Sequence, residues 1–458
     1  MNLKPFSKQV FRLHNLPIQS LIAAAGNFLR LPDAHPSRLR VFTPWCTFWL
    51  FLAQVLGSNR TCREALRSGQ AWLLNRQGKT ISPSTSAYCQ ARARLPMTYI
   101  EKAGESVLEH LKGCEGQTWL GRCVKIVDGS ALSLPDTTEN QNRYPQSSRQ
   151  KKGCGFPNMR FVALFILSSG AWLASAKDSL KVHERTLWHT LWGYLMKGDV
   201  IMADRGFCGY ADFYLLLKKG VDSLMRLHHR RSSGCNRKRR LGKGDWLVEW
   251  IKTGTCPKWL DKETWTTLPS AMMVRHVEVN IPIKGFRTLS LTLATTLLDA
   301  NRYSATSLAD LYRRRWMAEL FLRDIKTTMG MDILRCKTPE LIHKEFLMHQ
   351  IAYNLIRALM FHAAQKHSAD PLRISLAGAC AAVRQWAPVM CAARSQSRKS
   401  TLLNAFFICI AHDTIPLRPN RLEPRARKRR PKNFQLMNQP RQSFKEIHHR
   451  NRYAISLS

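Results

Sequence analysis

The sequence predicts an α/β fold: a mixed sheet carrying a β-rich insertion, flanked by helical regions on both sides. Three observations predict it. Between Arg122 and Leu227, short β-branched or apolar runs alternate with amphipathic stretches of helical length. From His228 to about Asp299 the texture changes to a basic stretch at Arg230–Arg240, followed by strand candidates at Trp246–Ile251 and Met272–Val279. Before Leu111 and after Ser307 the periodicity is helical. A chain of 458 residues exceeds one ordinary core. The expected divisions are a helical N-terminal region at 1–112 and an α/β domain at 113–340 with its insertion at about 228–299. A helical C-terminal region at 341–417 and a basic tail at 418–458 follow.

Lys plus Arg number 71 against 31 Asp plus Glu, a net charge of +40. A polyanion neutralises such a surface while releasing its own condensed counterions, so nucleic acid is the leading partner. A ribosomal or chromatin-type binder would share the charge but rarely the 45% hydrophobic content. The 13 cysteines are odd in number and include no C-x-x-C pair, which argues against a disulfide framework or zinc ribbon and for reduced cytosolic thiols. Leu16–Leu29 is apolar but broken by Gln19, Ser20 and Asn27, so an amphipathic helix is expected rather than a signal peptide. Phe42–Leu56 falls short of the roughly 20 residues a bilayer requires and reads as a buried helix. No membrane partner is expected, and a cytoplasmic, nucleoid-associated location fits the charge.

In chain order, Thr61 or Ser58 can cap a helix that breaks at Gln77-Gly78. Ser82-Pro83-Ser84 can cap the next, which carries Tyr88, Gln90, Arg92 and Arg94. The pair is either a helix-turn-helix with Gln90, Arg92 or Arg94 against base edges, or an ordinary helical hairpin with a solvated basic face. Arg122–Asp128 reads as a strand ended by Gly129-Ser130, and Phe161–Leu167 with Ala171–Ala176 as a hairpin. A helix over Val182–Met196, a strand over Val200–Ala203, the motif Asp204-Arg205-Gly206-Phe207, a helix over Tyr210–Lys219 and a strand near Ser223–Leu227 follow. Helix is expected again from Ser307 past Lys326, at Leu341–Ala364 and at Leu402–Ala411. The tail holds Arg425-Ala426-Arg427-Lys428-Arg429-Arg430 and four prolines, a composition expected to be disordered without its partner.

The helix at Leu308–Thr328 carries the most information. At about 100° per residue, with Tyr312 at zero, Arg315 falls near 300°, Lys326 near 320° and Glu319 near 340°. These four share one face. Leu311, Ala318, Phe321, Leu322 and Ile325 form the opposite, buried stripe. Taken singly, Arg315–Glu319 could be a solvated i,i+4 pair, and Asp128 and Asp204 could be turn residues before Gly129 and Gly206. Taken together, two strand-end aspartates and a helical glutamate on one sheet can hold two divalent cations about 3.5–4 Å apart. Hard oxygen ligands suit magnesium or manganese.

Asp128 in V-D-G-S, Asp204 in A-D-R-G-F, and Tyr312-x2-Arg315-x3-Glu319-x6-Lys326 resemble the DDE transposases of bacterial insertion sequences, in the group bearing a Y-R-E-K signature. The resemblance spans about Tyr99–Cys336, including the insertion between the second aspartate and the glutamate. It implies a ribonuclease H-like fold and in-line attack at phosphorus, first by water at the element ends and then by the freed 3′ hydroxyl on target DNA. Asp128, Asp204 and Glu319 would ligate the metals. Tyr312, Arg315 and Lys326 would hold phosphates, and a homodimer would hold the two terminal inverted repeats. Some members form a hairpin at the cleaved end and stack a flipped base on tryptophan. Trp316, Trp246, Trp250, Trp259 and Trp265 are stacking candidates, with core packing the preferred reading for any one of them.

Arg427, Lys428, Arg429 and Arg430 are expected to bind phosphate. His183-Glu184, His228-His229 and His448-His449 lack metal-ligand spacing, and Glu184 is expected to be a solvated helix charge rather than an accessory residue. A ribonuclease H-like nuclease or a catalytically inactive DNA-binding relative are the alternatives. The first does not require the basic residues on the helix, and the second does not require the three carboxylates.

Overall fold

The computed structural model describes residues 16–26, 28–33, 41–77, 81–113, 118–228, 236–280, 290–416 and 437–444. The four basic residues at 427–430 lie outside them. The N-terminal region is helical: α1 (Pro17–Ala25), α2 (Pro44–Leu56), α3 (Cys62–Gln77), α4 (Ser86–Arg94) and α5 (Met97–Gly113). Proline at the start of α2 follows Thr43, whose hydroxyl accepts from Cys46 N. Thr61 accepts from Glu64 N in the same way and starts α3. The expected buried helix at 42–56 is α2, with Phe48, Phe51 and Leu52 fully inaccessible. No described helix is long and apolar enough to cross a membrane.

The sheet follows with β1 (Val124–Ser133), α6 (Thr138–Arg143), β2 (Asn158–Ile166), β3 (Trp172–Ser179), α7 (Glu184–Thr190), β4 (Val200–Ala203), α8 (Tyr210–Lys218) and β5 (Asp222–Arg226). Strand β2 runs antiparallel to both β1 and β3, and β4 and β5 continue parallel to β1 on its other side. This order, β3-β2-β1-β4-β5, is the ribonuclease H-like arrangement. The expected hairpin at 161–176 is β2–β3, turned by Gly170 at φ +68. The helix expected over 182–196 is shorter: α7 gives way to a 3-10 turn at Trp192–Tyr194.

The β-rich segment contributes β6 (Asn236–Gly242), β7 (Asp245–Ile251), α9 (Lys262–Thr267), β8 (Ala271–Asn280) and β9 (Ser290–Thr295). These strands form no separate sheet. β9 pairs antiparallel with β5, and β8, β7 and β6 add outward to give nine strands. Arg275, fully buried on β8, is held by Asp245 on β7 with Nε–Oδ1 2.8 Å and Nη2–Oδ2 2.5 Å. It also donates to the Tyr303 carbonyl at 2.7 Å, tying the added strands to the start of the next helix.

That next helix is not continuous. α10 (Ala305–Arg313) passes through a 3-10 turn at Arg314–Trp316 into α11 (Met317–Arg323), which ends in a π turn at Asp324–Thr328. The expected stripe is buried nonetheless: Leu311, Ala318, Phe321, Leu322 and Ile325 are all under 10% exposed. α12 (Pro339–Lys366) runs through the middle of the helical layer, against α5, α2 and β3. α13 (Leu376–Ala392) and α14 (Gln396–His412) complete it. α13 was not expected, since its residues are mostly small and Pro388 stands inside it.

Two further expectations are corrected. Gly129 and Ser130 do not end β1, which continues in register against β2 to Ser133. Arg92 does not face outward. It is buried, with Nη1 3.3 Å from Gln54 Oε1 and its guanidinium 4.7 Å from the Phe51 ring centre, so it is unavailable to base edges. Gln90 and Arg94 on the same helix are exposed.

Candidate active site

Alternation along the strands determines where the aspartates point. Parallel pairing sets Lys125 against Ile201 and Ile126 against Met202, so two residues further on Asp128 and Asp204 come level. Ile126 and Met202 bury into a cluster with Leu308, Leu311, Tyr312 and Ala318. Asp128 and Asp204 continue that face and therefore lie on the side covered by α10 and α11. Asp128 sits within β1 rather than at its end, with Oδ1 accepting from Gly129 N at 2.9 Å. Asp204 directly follows β4, and its Oδ1 accepts from Gly206 N at 2.8 Å, closing a tight turn.

Glu319 occupies the first turn of α11 and is 39% exposed in its side chain. Burial pushes the Asp128 carboxyl up to about 6, and the nearby charges of Asp204 and Glu319 push the same way, against Gly129 N–H and Arg315. The three carboxylates thus share one electrostatic neighbourhood. They do not converge on a single point: among the described residues no three His, Cys, Asp or Glu side chains are placed to hold one ion. Glu319 is instead paired with Arg315, Oε1 to Nη2 at 3.0 Å.

The other signature residues reach the two aspartate strands. The Tyr312 hydroxyl donates to the carbonyl of Ala203, the residue before Asp204, at 3.3 Å, and its ring is buried. Burial raises its phenol to about 12. Lys326 Nζ donates to Ser130 Oγ at 2.9 Å and to the Ala131 carbonyl at 3.0 Å, just beyond Asp128. Trp316 stands 51% exposed beside Arg315.

Sequence reasoning set Glu184 aside, and the structure brings it to the site. A Cβ on Gly129 would lie 2.8 Å from the Glu184 carboxyl carbon, so the glycine admits this carboxylate next to Asp128. Its Oε1 is also 3.6 Å from Arg160 Nε. The available signal was V-D-G within a β-branched run, where glycine marks a close approach as well as a turn.

The insertion tryptophans divide. Trp250 is buried, with Nε1 2.8 Å from His276 Nε2. Trp246 is half-buried under Arg237 and Arg240. Trp265 lies near Lys252. Trp259 stacks on His189 with ring centres 3.4 Å apart, and His189 holds the fully buried Asp212 at 2.7 Å. That stack joins the insertion to α7 and α8.

The sheet order, with Asp128 and Asp204 on adjacent strands and the helix of Arg315 and Lys326 across them, has the ribonuclease H-like form. Residues 119–355 match the family described as Transposase DDE domain, and the chain belongs to it. It is a DNA transposase, an enzyme of a family that uses divalent metal ions and acts on DNA. The chain is 27% identical over 350 residues to the transposase InsG of insertion sequence element IS4 from Escherichia coli (strain K12), covering 76% of this chain and 77% of that protein. It is 39% identical over 64 residues to the transposase of element IS421 from Escherichia coli, covering 14% of this chain and 17% of that one. Among solved structures, the piggyBac transposase synaptic complex with hairpin DNA aligns at a TM-score of 0.44 and 8% identity, over 88% of this chain and 87% of that chain.

Proposed function

We propose that Asp128, Asp204 and Glu319 are the catalytic carboxylates with which this transposase cleaves the ends of its element and joins the 3′ hydroxyl strands to target DNA. The observation that carries the reading is the shared neighbourhood of the three, in which Asp204 and Glu319 act on a half-buried Asp128. The donor set fits magnesium or manganese, since all three ligands are hard oxygens and the like charges need a cation to offset them. When bound there, two such ions supply the Lewis acidity that activates the attacking oxygen and stabilises the leaving one.

The chain's own residues supply positioning. Arg315 pairs with Glu319. A DNA phosphate that takes the guanidinium's planar fork frees the carboxylate to turn toward the aspartates. Lys326, now on Ser130 and Ala131, stands where a phosphate beside Asp128 would compete for its ammonium. Tyr312 fixes the backbone at Ala203 and hence the placement of Asp204. Exposed Trp316 offers a stacking surface next to Arg315. The basic residues Arg427, Lys428, Arg429 and Arg430 contact the DNA backbone, and two copies of the chain hold the two inverted repeats.

The test uses duplexes carrying the sequences that flank the reading frame, in magnesium or manganese. Nicking at the element boundary followed by joining to a second duplex supports the reading. Endonucleolytic cutting without joining would support a nuclease on the same fold instead.

A further inference from the structure

The loop between α2 and α3 holds a residue that the chemistry above does not use. Arg60 adopts φ 53, the left-handed region that non-glycine side chains rarely enter. Contacts on both sides of it hold the loop. Gln54 Nε2 donates to the Arg60 carbonyl at 3.1 Å, and Arg384 Nη1 on α13 donates to the Leu56 carbonyl at 3.2 Å. The side chain extends to Gly330, the residue at φ +65 that closes the catalytic helix, and a Cβ there would overlap the Arg60 guanidinium. Met331 N bonds to the Ile325 carbonyl and Asp332 N to the Lys326 carbonyl, both at 3.2 Å, wrapping the helix end around this glycine. A cation at that position opposes the negative end of the helix.

The other side of the same loop leads to α4. Gln54 Oε1 accepts from the Tyr88 hydroxyl at 2.9 Å and from Arg92 at 3.3 Å, both buried residues of the helix whose outer face presents Gln90 and Arg94. One glutamine therefore connects α4 to the backbone of Arg60, and Arg60 connects to the end of the helix bearing Lys326 and Glu319.

We propose that Arg60 is a positioning residue for the active site, setting the end of the catalytic helix according to the placement of α4, so that DNA engaged by Gln90 and Arg94 acts on Lys326 and Glu319 through Gln54, Arg60 and Gly330. The inference rests on the strand-cleavage reading above. It differs from ordinary packing because named contacts join the regions in series: Tyr88 and Arg92 to the Gln54 side chain, Gln54 to the Arg60 carbonyl, and the Arg60 guanidinium against Gly330.

The test uses the full chain, a duplex with the flanking element sequence, and Arg60→Gly, which suits the left-handed backbone and removes only the side chain. Single-turnover cleavage at saturating duplex is expected to fall about tenfold or more while duplex affinity stays within about threefold. Adding Gln54→Leu to Arg60→Gly is expected to slow cleavage no further than the slower single variant, since both interrupt one path. Hydrogen exchange gives a readout independent of cleavage: duplex binding should change exchange of the amides at 325–332 in the unaltered chain and not in Arg60→Gly. Wild-type cleavage by Arg60→Gly, a parallel loss of affinity and rate, or the same exchange response in both proteins would overturn the proposal. Asp128→Ala in the same assay separates the two readings, because cleavage by that variant removes the catalytic assignment whatever Arg60 does.

Discussion

At Asp128, burial works against the charged form of the carboxyl. A carboxyl that ionises near 6 in the native state and near 3.8 when unfolded keeps its proton longer in the native state. Metal-free stability therefore falls as pH rises from about 4 to about 6 and stays lower above that. Asp128→Asn is expected to raise the stability of the metal-free chain at pH 7 by about 3 kcal/mol and to have little effect at pH 4. Denaturant titration at both values checks this, and equal effects at the two would mean that burial does not load the group. Magnesium or manganese should stabilise the unaltered chain above pH 6 and leave Asp128→Asn nearly unchanged. At Arg315 the expected loss is of another kind. On the proposed role of Arg315 as a phosphate ligand, Arg315→Ala removes a charge-assisted contact worth about 1.5–3 kcal/mol, so strand transfer on pre-cleaved ends should fall by at least tenfold. Arg315→Lys should stay impaired, since a point charge does not reproduce the planar fork. Recovery of wild-type rate by the lysine variant would show that only charge matters there.

Individual elements were legible where the pattern was local. Val200–Ala203 is a strand with the boundaries its four apolar residues suggested, and the β2–β3 hairpin follows from two apolar runs around Ser168-Ser169-Gly170. β1 was read too short because Gly129 looked like a stop, whereas its hydrogen atom makes room for Glu184 from α7, a tertiary fact no local window contains. The face shared by Tyr312, Arg315, Glu319 and Lys326 came from ideal helix geometry. The actual path has a 3-10 turn and a π turn, and it still brings Tyr312 to β4 and Lys326 to β1, with Arg315 and Glu319 paired between them. Arg92 was misjudged because an arginine in a basic helix gives no sign of a buried glutamine partner on α2. Gly129→Ala is expected to cost about 1–3 kcal/mol by overpacking, and Glu184→Ala should restore much of it. Additive losses in that pair would place the strain elsewhere. In the insertion, Asp245→Ala leaves Arg275 buried without its carboxylate and should destabilise by about 3–5 kcal/mol, read from thermal unfolding.

The net +40 was legible as affinity for a polyanion, but it could not say which surfaces carry it, because that depends on which cations are buried, as Arg92 and Arg275 are. Truncation before Arg418 is expected to reduce the slope of log affinity against log salt by roughly 0.9 for each phosphate contact removed. An unchanged slope would mean that the tail makes none of them. On the proposed function, three carboxylates perform the strand chemistry while DNA is held mainly elsewhere. This is tested most directly by measuring duplex affinity and strand cleavage side by side for Asp128→Ala, Asp204→Ala and Glu319→Ala in magnesium or manganese. Each variant should bind flanking element DNA nearly as well as the unaltered chain and cleave none of it. Full cleavage by any one of them would remove that carboxylate from the catalytic set.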